Sequence, residues 1–166
     1  QWYGSTDGKL YVGGGNTAID CVRTAVRKGA ERVRLVYRRT RAEMPADPHE
    51  IAEAIAEGVE MIFLAAPNAI ERVDDRLLLT CIKMELGEPD RSGRRRPVPV
   101  EGSDFSVAAD TIIGAIGQST NTQFLYNDLP VRLNKWGDID IDGSTMEASE
   151  EKIFAGGDCV TGPATV

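Results

Sequence analysis

Hydrophobic residues in the first third of the chain follow two different periods. Residues 9–12 and 33–37 are short runs of β-forming residues, and both predict strands. Between them, apolar residues recur on one helical face from Asn16 to Lys28, and Gly29 is placed to end this helix. Strand, glycine turn, helix and strand together predict one βαβ unit.

A second helix and a third strand follow this unit. Asp47 is placed to cap a helix with Pro48 at its first position, and Glu50 has the spacing of a capping box. This helix is expected to run to Gly58. Residues 59–65 form a continuous apolar-rich run, which predicts a strand buried on both faces. This part of the chain therefore predicts a Rossmann-like parallel sheet.

The rest of the chain has a different pattern. Strands are predicted at 69–73, 77–86, 105–108, 110–116 and 152–155, the last of them buried. The first two are expected to pair antiparallel, and residues 88–96 form a polar loop. Residues 118–143 are irregular, with a short hairpin around residues 136–138. The predicted fold class is α/β, a Rossmann-like three-layer domain with an antiparallel β insertion.

The turn after the first strand has the spacing GxGxxA of a phosphate loop. A pyrophosphate must approach a helix start closely to reach its free N–H groups and positive dipole end, and side chains would block it. Gly13, Gly15 and Ala18 occupy the three small-residue positions. The candidate dinucleotide-binding residues here are Gly13, Gly14, Gly15, Asn16 and Thr17, the last two through side-chain donors.

Basic residues stand where an NAD site has an acid. Such sites place Asp or Glu roughly 20 residues beyond the loop, to hold the ribose hydroxyls. Here Arg38, Arg39 and Arg41 follow the second strand, and no acid occurs before Glu43. Guanidinium groups bind a 2′-phosphate with charge-assisted bonds, whereas an acid would repel it. A solvated surface run is the alternative, but the position after the strand favours NADP(H) over NAD(H).

Composition narrows the classes of partner. The 166 residues suit one domain, or one domain plus pieces of a neighbour, and the net charge of -7 argues against nucleic acid. The chain has no apolar run of about 18 residues, so no membrane span is predicted. Cys21, Cys81 and Cys159 lie far apart, so disulfides and cysteine-built metal or iron–sulfur sites are not expected. Reduced thiols in the cytoplasm are the expectation.

Other polar residues suggest no catalytic or metal chemistry. His49 is the only histidine and is expected at an exposed helix start. Asp138, Asp140 and Asp142 alternate along a predicted strand, where a solvated face is favoured over a cation site. Arg94–Arg96 are interpreted as a hairpin tip, with contact to a partner subunit as the alternative. We therefore expect no catalytic acid or base and no metal site.

Three segments of the chain together resemble one protein family. They are VGGGNTAID at 12–20, VYRRTRAEMPA at 36–46 and IFAGGDCVTGP at 153–163. They resemble the small (beta) subunit of NADPH-dependent glutamate synthase and related FAD- and iron–sulfur-linked NADPH oxidoreductases. The resemblance extends over nearly the whole chain from Gly8, and the YRR-with-MPA stretch is its most specific part.

The resemblance implies roles for particular residues. In that family an NADPH domain is inserted into an FAD domain. By resemblance, Arg38 and Arg39 hold the 2′-phosphate, while the glycine loop holds the pyrophosphate. Gly117 lies in the turn that leaves the NADPH domain. Gly157 and Asp158 resemble a flavin motif in which the Asp bonds the ribityl or phosphate region of FAD.

The resemblance also implies a domain organisation. Residues 1–8 are expected to be a linker or a remnant of a preceding domain, 9–117 the NADPH-binding domain, and 118–166 an incomplete return segment of the FAD domain. No FAD fingerprint precedes Lys9, and the cluster-binding cysteines of the family's N-terminal domain are absent. This piece is therefore expected to bind NADP(H), but not to retain FAD or to turn over alone.

The function implied by the resemblance is hydride transfer from NADPH to FAD, with electrons passing onward to iron–sulfur clusters. The implied partners are NADPH, the FAD domain of the same protein, and a large catalytic subunit or ferredoxin. Alternatives are a relative that reduces ferredoxin or a pyrimidine, or a non-catalytic NADP(H)-binding module.

Overall fold

The structure is a computed structural model that describes residues 8–90, 93–122, 125 and 130–163. Residues 1–7, most of the expected linker, and 164–166, the end of the resembling flavin segment, lie outside the described residues. Gly8 is the first residue of the first strand, where it pairs with Arg32 of the second strand. The chain divides into one compact unit that ends at Ile116 and a second that begins at Gly117.

A four-stranded parallel sheet forms the centre of the first unit. Its strands are β1 (Gly8–Gly13), β2 (Arg32–Tyr37), β3 (Glu60–Phe63) and β8 (Thr111–Ala115), numbered in chain order. They are arranged in the order β3-β2-β1-β8. Val12 of β1 lies opposite Val36 on one side and Gly114 on the other, so β1 has a parallel neighbour on both sides.

Two helices cover one face of this sheet. Helix α1 (Asn16–Arg27) buries Ala18, Ile19, Val22 and Ala25, which is the predicted apolar face. Gly29 ends it with φ +83°, a left-handed conformation that favours glycine. Helix α2 (Pro48–Ala56) starts at the predicted cap, where Asp47 accepts the His49 N–H at 2.7 Å. No helix of the described residues is long and apolar enough to cross a membrane.

An antiparallel sheet covers the other face. It contains β4 (Ala65–Val73), β5 (Arg76–Pro89), β6 (Arg95–Pro99) and β7 (Phe105–Ala109), and β5 pairs with the other three. Leu79 and Cys81 of β5 are completely buried and pack with Leu10 and Val12 of the parallel sheet. Burial raises the pKa of the Cys81 thiol to about 11. Helices, parallel sheet and antiparallel sheet confirm the predicted three-layer α/β fold.

The prediction that the strand at residues 59–65 is buried on both faces is wrong. β3 lies at the end of the described sheet order, and its side chains are exposed or half-buried. The apolar run is divided at Leu64, which has φ +54°. There the chain leaves the parallel sheet, and Ala65, 1% exposed, begins the antiparallel sheet. The run therefore contains β3 of one sheet and the first residue of β4 in the other.

The second unit is built from short bridges around a small core. Within its described residues, the apolar side chains of Leu125, Val131 and Ile139 are buried together. The hairpin predicted around residues 136–138 is confirmed by the bridge between Leu133 and Ile139. Helix α3 (Asp158–Thr161) is a single turn.

The buried strand predicted at residues 152–155 is an isolated bridge at Phe154, and the segment is only half-buried. Ile153 and Ala155 pack against the core of the second unit, whereas Phe154 between them is 63% exposed. Side chains alternate between the two faces of an extended segment, and only one face of this segment is covered by the described residues.

Leu79 tests the packing between the two sheets. Leu79→Ala is expected to lower the free energy of unfolding by about 2–5 kcal/mol, because it removes a completely buried side chain and leaves a cavity. Ile70, its partner on β4, is 58% exposed and supplies the control. Chemical denaturation should show a change of about 0.5 kcal/mol or less for Ile70→Ala. Equal losses in the two variants would contradict this packing.

Candidate functional site

The predicted ligand-binding residues of the first unit lie at one edge of the parallel sheet. The glycine loop follows the carboxyl end of β1, and Arg38 follows the carboxyl end of β2. β1 is also where the connections change direction, since β2 lies on one side of it and β8 on the other. Ligands of open α/β sheets bind at such a switch point, outside the carboxyl ends of the strands.

Two glycines of the loop are required by the packing of the protein itself. A Cβ on Gly13 would lie 2.3 Å from the carbonyl oxygen of Ala115, at the end of β8. A Cβ on Gly14 would lie 2.3 Å from the Tyr37 ring. Real Cβ atoms do not approach other atoms this closely, so neither position has room for a side chain. Gly13 and Gly14 therefore let β8 and β2 close around the end of β1.

Gly15 differs from its neighbours because the packing of the protein leaves room for a side chain there. A Cβ at this position would meet no described atom within 4 Å, and its φ of -91° suits any residue. Gly15 precedes α1, and no side chain among the described residues caps that helix. The first N–H groups of a helix have no partners within the helix. Open space therefore adjoins hydrogen-bond donors and the positive end of a 12-residue helix.

The segment before α2 braces the glycine loop. The Gly14 carbonyl accepts the Ala46 N–H at 3.2 Å, and the Asn16 side-chain oxygen accepts the Asp47 N–H at 3.0 Å. In a capping box, the Glu50 side chain would accept a hydrogen bond from this Asp47 N–H. Asn16 accepts that bond instead, so the predicted capping box does not form. The side-chain oxygen of Asn16 is therefore used within the protein, while Thr17 is exposed.

A turn that the sequence reasoning missed shapes the arginine segment. Residues 41–43 form one 3₁₀ turn with a capping box, in which Thr40 donates its N–H to Glu43 at 3.1 Å. The T-x-x-E spacing was the available signal. The Thr40 hydroxyl also donates to Glu43, and this bond holds the pKa of the carboxyl below its usual value. The Tyr37 hydroxyl donates to the Glu43 carbonyl at 2.8 Å.

The two predicted phosphate-binding arginines lie in different environments. Arg38 is exposed. The Arg39 side chain is only 7% exposed, and its Nη2 lies 2.8 Å from the Oδ2 of Asp90, in the turn between β5 and β6. Asp90 was not found by sequence reasoning, because an ion pair between residues 51 positions apart leaves no local pattern. Phosphate binding stays a prediction for both arginines, of which Arg38 is exposed and Arg39 is paired with a carboxylate.

The candidate residues of the second unit lie in turns. Gly117 and Gly157 have φ of +90° and +70°, conformations that favour glycine. Asp158 is exposed at the start of α3. A cleft of about 390 Å³ in this unit is lined in part by Thr120 and by residues 160–163.

Asp138 contradicts the expectation of a solvated strand face. It is 7% exposed, and its carboxylate accepts a hydrogen bond from the Thr120 hydroxyl at 2.7 Å. Asp140 and Asp142 are exposed, as expected. Within the described ranges, no group of three or more His, Cys, Asp or Glu side chains could hold a metal ion.

A glycine loop at the switch point of a parallel sheet, with basic residues after the neighbouring strand, is typical of proteins that bind pyridine nucleotides. Residues 8–166 match the family described as pyridine nucleotide-disulphide oxidoreductase. The chain belongs to this family.

Several characterised proteins are similar to this chain. The beta subunit of an NADP(+)-dependent formate dehydrogenase from Moorella thermoacetica is 47% identical over 165 residues, covering 98% of this chain and 23% of that protein. The beta subunit of an NADPH-Fe(3+) oxidoreductase from Geobacter sulfurreducens is 44% identical, covering 95% and 27%. The glutamate synthase (NADPH) small chain of Azospirillum brasilense is 38% identical, covering 95% and 33%.

The chain spans only 23% to 33% of the length of these three relatives. Among solved structures, thioredoxin reductase from T. acidophilum superposes with a TM-score of 0.70 over 94% of this chain and 45% of that one, at 18% identity. This likeness supports the fold. The resemblance to the glutamate synthase small subunit and related NADPH oxidoreductases is confirmed.

Gly14 tests the steric requirement of the loop. Gly14→Ala is expected to lower the free energy of unfolding by about 1–3 kcal/mol, because the added methyl group would overlap the Tyr37 ring. Gly15→Ala is the matched control, since the same methyl group there meets open space. Thermal and chemical denaturation should separate the two variants. Equal stability of both would mean that the Tyr37 ring does not restrict the loop.

Proposed function

We propose that this chain is the NADP(H)-binding part of a flavin-linked oxidoreductase. The observation that carries the proposal is Gly15. The fold leaves this position open and unstrained, yet it holds a glycine at the start of an uncapped helix. A ligand that must approach the backbone closely accounts for the missing side chain, and a pyrophosphate is such a ligand.

The residues present at the sheet edge fit an NADP(H) molecule. The N–H groups of Gly15, Asn16 and Thr17 would receive the pyrophosphate at the start of α1. Arg38 is exposed next to the same edge and would pair with the 2′-phosphate. Arg39 would support that contact from a buried position. The names of the three relatives above include either NADP(+) or NADPH.

For the second unit we propose a return segment of a flavin domain, with residues 9–117 as the NADPH-binding domain and 118–166 as that segment. Asp158 presents an exposed carboxylate directly after Gly157, which suits a contact with a flavin hydroxyl. Gly117 would be the turn between the two domains.

The chemistry that the bound cofactors would supply is hydride transfer between nicotinamide and flavin, which needs no acid or base from the protein. This chain's residues would bind and orient the dinucleotide. We propose that electrons pass onward to iron–sulfur clusters held by other parts of the protein. The relatives named above are beta subunits or a small chain, and their names point to different redox partners of the nucleotide. We therefore also propose that the protein has a partner, which is either a large catalytic subunit or ferredoxin.

Gly15→Ala tests the pyrophosphate position. Calorimetric titration with NADP⁺ and NAD⁺ should show both dinucleotides weakened, by about tenfold or more, because the methyl group fills the space that the phosphate needs and costs charge-assisted bonds. Denaturation should show stability retained. Unchanged affinity in this variant would remove the main support for the proposal.

Arg38→Ala tests the choice of dinucleotide. NADP⁺ should bind about tenfold or more weakly, since one charge-assisted contact is lost, while NAD⁺ has no 2′-phosphate and should be unaffected. Arg72→Ala, which removes an exposed arginine from β4, is the control and should change neither affinity. An equal loss for both dinucleotides in Arg38→Ala would mean that Arg38 does not recognise the 2′-phosphate.

A further inference from the structure

We propose that Asp90 is a positioning residue that sets the preference for NADP(H) by holding Arg39. This inference rests on the proposed function. Asp90 lies in the antiparallel insertion, far from the glycine loop in sequence. Its carboxylate forms an ion pair with Arg39 at 2.8 Å, and the two side chains are 23% and 7% exposed. The insertion thus reaches the segment that carries Arg38.

Asp90 is itself held in place by the turn between β5 and β6. Its N–H donates to the Arg94 carbonyl at 2.7 Å, and its carbonyl accepts the Gly93 N–H at 2.9 Å. Its Oδ1 accepts the Arg94 N–H at 3.3 Å. The turn therefore engages one carboxylate oxygen, while the other meets Arg39. The bonds within the turn thus help to hold the carboxylate beside Arg39.

The backbone of Arg39 is tied to the same insertion. The Arg39 carbonyl accepts the Leu64 N–H at 3.1 Å, and the Leu64 carbonyl accepts the Met84 N–H at 2.7 Å. Met84 belongs to β5, the strand that leads to Asp90. Arg39 is therefore linked to the insertion through its main chain, by way of Leu64, and through its side chain, by way of Asp90. Arg38 precedes it directly, so the exposed guanidinium projects from a segment that the insertion holds.

The ion pair matters because Arg39 is buried. A buried guanidinium that loses its carboxylate is strongly destabilised in place, and it moves toward water when it can. Such a movement would displace the backbone of Arg38. NAD(H) makes no contact that depends on Arg38, so the effect should fall on NADP(H) alone. Asp90 would thus act on selectivity without touching the ligand.

The test is the ratio of the two dissociation constants in the full 166-residue chain, measured by calorimetry with NADP⁺ and NAD⁺. Asp90→Asn should reduce the preference for NADP⁺ about tenfold, the effect of losing one charge-assisted contact, and leave NAD⁺ unchanged. Asp90→Glu keeps the charge and should retain the preference. Asp104→Asn makes the same chemical change at an exposed aspartate before β7 and should alter neither constant.

Partial unfolding lowers both apparent affinities equally, so a change in the ratio reports on Arg38 and not on stability. If Asp90→Asn does not fold, Asp90→Ser, which keeps an acceptor for the turn, replaces it with the same expected loss. An unchanged ratio overturns the inference. So does tighter NADP⁺ binding, which would mean that Asp90 competes with the 2′-phosphate for Arg39. If the unsubstituted chain itself shows no preference for NADP⁺, the proposed function fails first.

Discussion

Gly13, at the end of β1, and Gly14 after it lie where there is room for backbone alone, and the arrangement of the first unit depends on this steric constraint. The carbonyl of Ala115 closes on Gly13 from one side, and the ring of Tyr37 closes on Gly14 from the other. β8 and β2 can approach the end of β1 only because both positions lack a Cβ. The start of α1 is thereby aimed out of the sheet edge, with Gly15 facing open space.

The arginine segment is attached to this turn by hydrogen bonds of modest individual strength. Tyr37 contributes its ring to the turn and its hydroxyl to the Glu43 carbonyl, and the chain then returns to place Ala46 on the Gly14 carbonyl. The YRR-with-MPA stretch is thus largely a structural brace. The buried pair of Arg39 and Asp90 extends the brace into the antiparallel sheet. The insertion covers the hydrophobic face and also reaches the candidate site.

Local patterns predicted the features that depend on neighbouring residues. The apolar face of α1, its end at Gly29 and the Asp47 cap were all visible, because each involves residues within a few positions. The run at 59–65 misled for a related reason. One continuous buried strand and a half-buried strand that is followed by the start of a strand in another sheet give the same apolar pattern.

The sequence by itself determined the α/β class, the GxGxxA turn at Gly13 to Ala18, and the basic segment that follows β2. These are local, since spacing and side-chain chemistry express them directly. Only the tertiary structure decided that Gly13 and Gly14 serve the packing while Gly15 stays open, and that Arg39 is buried against Asp90 while Arg38 is exposed. Those distinctions depend on atoms from β8 and β2, which meet the glycine loop, and from the β5–β6 turn, which meets Arg39, and these contacts form only when the sheets pack.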